Sequence, residues 1–205
     1  MGARGIYVAT TIRATLDEVW TATQDPSQHV RWDVRFSRIT PTTSTPDGAA
    51  RFVYERRTPV HTVRGDGISI GETSRPDGTR TSALRFTTHD RLSPLRDGRG
   101  YWRYEPVDDG IRFSTGYDYA AGWGPLDVIV RPIVGWATAW SFDRLRLWLE
   151  TGVEPERYSL WHAFAFWRGD RPRASRCERV PPHRRRALDD APATLAALPA
   201  PGGTR

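Results

Sequence analysis

IYVATTIRATLDEVWTATQDPSQHVRWD, residues 6–33, predicts how the fold begins, because it places one strand and two short helices in a fixed order. Residues 6–14 alternate and are rich in β-branched types, which favours a first strand. Thr15 and the glutamate three positions later have capping-box spacing, so a helix of about ten residues is predicted next. Asp25 and Pro26 are typical of the cap and first position of a second short helix.

The region from Asp33 to Ala120 is punctuated by Asp-Gly pairs, which tolerate the positive φ angles of tight hairpin turns. Strand-like sequence flanks each pair, so the region is predicted to be an antiparallel meander. Asp66-Gly67 is also compatible with a bulge. Together with the first strand, about seven strands are expected. The predicted segments of the meander are 33–41, 49–58, 61–74, 79–89, 99–106 and 111–120.

The sequence after residue 122 changes to an apolar period near 3.6, which predicts one long helix ending at Thr151-Gly152. Pro132 is expected either to kink this helix or to lie in the first turn of its main part. Residues 153–169 are predicted to form an additional amphipathic helix, because their aromatic residues share one side. Residues 170–205 are rich in Arg, Pro and Ala and offer little apolar burial to offset an ordering cost of about 1–2 kcal/mol per residue, so this tail is predicted to be disordered.

This order of elements resembles the helix-grip pattern. Residues 6–33 resemble the opening of the SRPBCC superfamily, which groups START lipid-transfer domains, polyketide cyclases and aromatases, and the birch-pollen allergen group. The segments RLSPLRDGRGYWRYEP (91–106) and GWGPLDVIVRPIVGWATAWSFDRLRLWLETG (122–152) resemble an uncharacterised bacterial branch of it. The resemblance implies an α+β domain over residues 1–152, with a curved antiparallel sheet wrapped around the long helix and a mostly apolar pocket between them. It carries over no catalytic residue.

The charge of +6 lies almost entirely in the tail, since residues 1–167 hold 21 Arg against 20 acids and residues 168–205 hold 9 against 4. A near-neutral body argues against nucleic-acid binding, which needs a basic groove. A membrane-surface anchor at the C-terminal helix and tail is the alternative to a solvated arm. The arm is favoured, because the tail lacks a compact basic run. The single Cys177 and the absence of a long apolar run favour a cytoplasmic protein.

The candidate pocket residues come from strand alternation and from the long helix. In IRFSTGYDYA (111–120) alternate residues face inwards, and two tryptophans of the long helix are expected to oppose them. In WDVRFSRIT (32–40) the same rule turns Asp33 and Arg35 to solvent. Arg38 is expected on the inward face, at the pocket rim or holding an anionic ligand group. The complete predicted lining is Phe36, Arg38, Phe113, Thr115, Tyr117, Tyr119, Trp123, Trp136 and Trp140.

Other motifs predict little chemistry. GISIG (67–71) matches the nucleophile-elbow pattern at Ser69, but the flanking sequence is strand and turn instead of strand and helix, so we interpret the match as chance. The histidines are His29, His61, His89, His162 and His183, and none of their spacings is typical of a zinc site, so neither a metal nor a cofactor is predicted. His61 or His89 could act as an acid or base only if it faced the pocket, and a surface position is favoured.

Two functions are compatible with these features. The favoured one is binding or carriage of a small hydrophobic molecule, such as a lipid, an isoprenoid or an aromatic polyketide-like compound. The alternative is a cyclase, aromatase or dehydratase of the polyketide-cyclase type, in which Tyr117, Tyr119, Arg38 or a histidine assists proton transfer. Binding is favoured because no acid and base pair stands out in the sequence.

Overall fold

The computed structural model describes residues 5–45, 48–73, 75–165 and 167–201, and it contains one seven-stranded antiparallel sheet. The spatial order of the strands is β1-β7-β6-β5-β4-β3-β2, so only β1 departs from a simple meander, by pairing with β7. This confirms the predicted α+β helix-grip fold. The strands are β1 Ile6–Ile12, β2 Arg38–Ser44, β3 Ala50–Arg57, β4 Thr62–Glu72, β5 Arg80–Thr87, β6 Leu95–Val107 and β7 Gly110–Ala121.

The predicted Asp-Gly turns have different outcomes. Gly78 and Gly110 adopt positive φ at the β4–β5 and β6–β7 turns, as expected, and Gly48 does so between β2 and β3, although Asp47 lies outside the described residues. Gly67 lies inside a continuous β3–β4 ladder, so Asp66-Gly67 is neither a turn nor a bulge. Gly98 lies within β6 next to a register shift, and the predicted turn there is wrong because the chain turns earlier, at residues 88–94.

Two short helices follow β1, as predicted. Helix α1 (Leu16–Gln24) begins with the capping box of Thr15 and Glu18, in which each residue's side chain bonds the other's backbone amide. Helix α2 (Pro26–Trp32) is capped by Asp25, whose carboxylate accepts a hydrogen bond from the amide of Ser27. The two helices lead the chain to the inner face of the sheet.

The long helix α3 (Asp127–Thr151) follows a 3₁₀ turn at Gly124–Leu126 and ends at Gly152, which has a φ of 71°. Its middle carries the buried residues that pack on the sheet, including Trp140 and Phe142. The Phe142 ring stacks on Phe113 of β7 with ring centroids 4.4 Å apart. Towards its beginning, however, the helix leaves apolar side chains exposed, and the sheet and helix separate there.

The chain after α3 differs from the prediction. In place of one helix over 153–169, the structure has 3₁₀ turns at Pro155–Arg157 and Leu160–Ala163. Two of the aromatic side chains expected to form a packed face do not pack, since Trp161 is 81% exposed and Phe164 72% exposed, whereas Tyr158 is buried. Helices this short depend on burial of one face, so the missing burial explains the missing helix.

The C-terminal segment, residues 170–201, also differs, because it was predicted to be disordered and instead packs along the sheet. Glu178 forms an antiparallel bridge with Ala9 of β1, with N···O distances of 2.9 Å in both directions. Cys177 is buried, and a short helix α4 (Thr194–Ala197) brings Leu195 into the interior. The alanine side chains and two leucines of this segment bury more apolar surface than its composition suggested. Residues 202–205 lie outside the described part of the chain.

Among the residues that the structure describes, no helix has both the length and the apolar character needed to span a bilayer.

Candidate ligand-binding cavity

A cavity of about 350 Å³ lies between the sheet and the first half of α3. Its floor is formed by cavity-facing residues of β3, β4, β5 and β7, and Ile133, Val134 and Ala137 of α3 form the opposite wall. Most of the lining is apolar. The aromatic and aliphatic side chains on the floor are Phe52, Tyr54, Val63, Leu84, Phe86 and Tyr117, with Ile39 and Leu95 at the margins.

A buried polar cluster forms one end of the cavity. Asp33 is fully buried, and its carboxylate accepts two hydrogen bonds from the Arg35 guanidinium, at 2.9 and 2.7 Å. The Nε2 atom of His29 lies 3.1 Å from the same carboxylate. Burial by itself would raise the pKa of Asp33, but the charge of Arg35 and the hydrogen bonds from both partners outweigh it and hold the pKa far below its ordinary range.

Tyr117 and Thr138 extend this cluster across to α3. The two hydroxyl groups lie 2.7 Å apart, and Nη1 of Arg35 donates to the Thr138 hydroxyl at 3.2 Å. The Arg35 guanidinium also lies over the Tyr117 ring, 5.6 Å from its centroid. Burial raises the pKa of Tyr117, so its hydroxyl stays protonated at neutral pH. The cluster therefore presents paired, hydrogen-bonded groups to the cavity.

The structure brings only part of the predicted lining together. Phe36, Thr115 and Tyr117 line the cavity. Phe113 and Trp140 are fully buried in the core instead, because the core rings of β6 and α3 enclose them. The other predicted residues also lie outside the cavity: Tyr119 donates a hydrogen bond to Asp127, Trp136 stacks on Trp140, Trp123 is 44% exposed, and Arg38 is exposed.

The orientations predicted for Asp33, Arg35 and Arg38 are wrong, whereas Phe36 faces inwards as predicted. The strand was expected to begin at Asp33, but β2 begins at Arg38, and residues 33–37 form a bend that buries Asp33 and turns Arg35 towards the cavity. Ile39, rather than Arg38, is the inward residue of β2. Alternation holds only inside a strand, so it could not be extended through a bend.

The cavity also contains polar residues that the prediction missed. His29, from α2, faces it beside Phe36 and Trp102. Arg56 lines it from β3, on the same side of the strand as Tyr54. Alternation in RFVYERR (51–57) would have placed Phe52, Tyr54 and Arg56 on one face. Ser69 of the GISIG match lies inside β4 and also lines the cavity, without the strand-turn-helix context of a nucleophile elbow.

The fold and this cavity define a helix-grip protein, and the chain belongs to the family described as polyketide cyclase / dehydrase and lipid transport, whose model matches residues 4–150. Over 165 residues it is 40% identical to "Uncharacterized membrane protein YndG" of Bacillus subtilis (strain 168), an alignment that covers 77% of this chain and 62% of that protein. The chain thus spans less than two thirds of the length of this curated relative.

Solved structures of low sequence identity share the fold. Human StAR-related lipid transfer protein 5 superposes with a TM-score of 0.55 at 13% identity, covering 74% of this chain and 85% of that chain. The di-domain ARO/CYC StfQ from the steffimycin biosynthetic pathway superposes with a TM-score of 0.56 at 12% identity, covering 73% and 52%. At these identities the similarity concerns the fold alone.

Proposed function

We propose that this protein binds and carries a small hydrophobic molecule, such as a lipid, an isoprenoid or an aromatic polyketide-like compound, in the cavity between the sheet and α3. The observation that carries the proposal is the cavity itself. Its volume of about 350 Å³ lies within the range of about 300–1,000 Å³ that is typical of small-molecule sites. Its mainly apolar lining would bind such a molecule through removal of apolar surface from water.

Family membership supports two classes of function, lipid transport and polyketide cyclisation, and the arrangement of polar groups favours the first. A cyclase-type enzyme needs an acid or base available to its substrate. Here Asp33, Arg35, Tyr117 and Thr138 are hydrogen-bonded to one another. His29, the cavity-facing imidazole, is likewise bonded to Asp33. Because each of these groups already has a partner within the protein, we expect carriage without chemical change.

Filling the cavity from the α3 side tests this proposal. Ala137→Phe places a ring in the cavity, because Ala137 lines it. The matched control is Val128→Phe on the same helix, where the side chain is 76% exposed. Binding of the neutral, environment-sensitive dye Nile red would be titrated by fluorescence, with circular dichroism to verify folding. We expect Ala137→Phe to weaken dye binding about tenfold or more, because overpacking removes the space for a ligand.

Native mass spectrometry of protein purified from its own host provides an independent readout. A co-purifying apolar molecule that is released unchanged supports carriage. Equal dye affinity of Ala137→Phe, Val128→Phe and the unsubstituted protein would show that the dye binds elsewhere and would count against the cavity as the binding site.

A further inference from the structure

The lining of the cavity contains a guanidinium group that forms no ion pair or hydrogen bond with the described residues. Among the described residues, three arginines line this cavity. Arg35 is paired with Asp33, and Arg51 donates to the carbonyl oxygen of Pro201 at 2.8 Å. Arg56 also lines the cavity, yet its side chain makes no ion pair or hydrogen bond with any residue that the structure describes. A cation held beside apolar surface without a counter-charge carries an uncompensated desolvation cost.

A second cavity shares the wall formed by Phe36 and Arg56, and it contains another incompletely bonded guanidinium. Arg144 of α3 is buried and donates from Nε to the carbonyl oxygen of Pro155 at 2.8 Å. Its two Nη atoms have no hydrogen bond within the part of the chain that the structure describes. Burial lowers the pKa of Arg144 to about 10 and lowers that of Arg56 as well, so both groups remain charged at neutral pH but in an unfavourable environment.

The carboxylates that line the second cavity form their ion pairs with other residues. Asp33 is held by Arg35 and His29. Glu156 is held by Arg31, with Nε and Oε1 2.6 Å apart. Asp33 and Glu156 therefore attract Arg56 and Arg144 only at longer range, and among the described lining residues of this cavity neither arginine forms an ion pair with a carboxylate.

We propose that the shared wall is an anion site, and that the carried ligand is an amphiphile whose apolar part fills the main cavity and whose carboxylate or phosphate group contacts Arg56 and Arg144. This inference rests on the proposed function and adds the chemical class of the ligand to it. Planar guanidinium groups bind carboxylate and phosphate oxygens through charge-assisted hydrogen bonds. An anionic head group would supply the direct ion pair that Arg56 and Arg144 do not form with the described residues.

The test uses three probes with the same alkyl chain: dodecanoate, dodecyl phosphate and neutral 1-dodecanol. Each competes with Nile red in a fluorescence titration of the full chain. We expect at least one anionic probe to bind about tenfold or more tightly than 1-dodecanol, since hydrogen bonds to charged groups are among the stronger ones. Comparing dodecanoate with dodecyl phosphate distinguishes the two head groups.

Three variants test whether the preference for an anionic probe depends on Arg56. Arg56→Gln should reduce the ratio of the 1-dodecanol dissociation constant to that of the preferred anion to about one, so that the preference for the anion is lost whatever the change in overall affinity. Arg56→Lys retains the charge and should restore part of the preference. Arg38→Gln is the matched control, because Arg38 is exposed one strand away and lies in neither cavity. Circular dichroism verifies that each variant folds.

The outcomes separate the two proposals. If 1-dodecanol binds as tightly as both anions, or if Arg38→Gln reduces the preference as much as Arg56→Gln, the anion site is refuted while carriage of a hydrophobic molecule stands. If neither the dye nor any of the three probes binds, the proposed function fails and the anion site fails with it.

Discussion

At the scale of single residues, the most consequential group is the carboxylate of Asp33. It is fully buried and is bonded by two cationic or ionisable partners, Arg35 and His29, next to an apolar cavity. Buried ion pairs contribute little net stability, but removing one partner leaves the other charge without compensation. The Asp33 carboxylate therefore orients the Arg35 side chain towards Tyr117, and together these residues close one end of the cavity.

Asp33→Asn should lower the free energy of unfolding by about 3 kcal/mol, because it leaves the buried Arg35 guanidinium without a carboxylate. Urea denaturation monitored by tryptophan fluorescence measures this change. Glu178→Gln is a suitable comparison, since the Glu178 pair with Arg112 is partly exposed and is expected to contribute about 0–1 kcal/mol. Equal losses in the two variants would mean that the Asp33 cluster is not a buried pair.

The loss of stability caused by Asp33→Asn is also expected to depend on pH. The folded-state pKa of Asp33 is lowered, so its contribution to stability is present above the unfolded-state value and is lost as pH falls. With an unfolded pKa of about 3.9, the stability difference between the unsubstituted protein and Asp33→Asn should shrink by about 1 kcal/mol between pH 5 and pH 3. A difference that stays constant over this interval would show that the carboxylate is not held ionised.

At the scale of elements, the cavity floor depends on aromatic residues that lie across glycines of the neighbouring strand. Phe52 of β3 pairs with Gly67 of β4, and Phe86 of β5 pairs with Gly98 of β6. A Cβ atom at either glycine would overlap the ring of its partner. Because the glycines leave this space, the rings lie flat along the sheet instead of standing up into the cavity.

Gly98→Ala should therefore push the Phe86 ring upward, at a cost of about 1–3 kcal/mol in the free energy of unfolding through overpacking. It should also weaken Nile red binding, because Phe86 lines the cavity. Gly169→Ala is the control, since a Cβ there meets no atom within 4 Å. Unchanged stability and unchanged dye binding in Gly98→Ala would show that the ring has another position available.

The elements also show how far sequence reasoning reaches. The capping box, the number of strands and the long helix were predicted because each depends on a local pattern or a sustained period. The face of the sheet on which Arg38 lies could not be predicted, since it depends on where the chain leaves the bend after α2 and enters β2. Tyr117 lines the cavity whereas Phe113 lies in the core, and this difference depends on the spacing between α3 and the sheet at each residue. That spacing cannot be predicted from a local sequence pattern.

At the scale of the whole molecule, the sheet is covered on both faces. The inner face holds the cavity and the packed half of α3, whereas Ile68 and Ala83 point the other way and pack with Leu195 and Leu198 of the C-terminal segment. Part of the basic excess of this segment is also neutralised internally, since Arg176 pairs with the buried Asp143. A segment that appears solvated by composition is thus a covering layer of the fold.

Leu195→Ala tests this covering role. Leu195 is 5% exposed, and truncating a buried leucine typically costs about 2–5 kcal/mol through lost apolar burial and the cavity that remains. Val180→Ala, in the same segment but at a side chain that is 75% exposed, should change the free energy of unfolding by less than about 0.5 kcal/mol. Urea denaturation of both variants gives the comparison. If the two cost the same, the C-terminal segment does not pack on the sheet. If only Leu195→Ala is destabilising while Nile red affinity is retained, the segment stabilises the sheet from its outer face without forming part of the binding site.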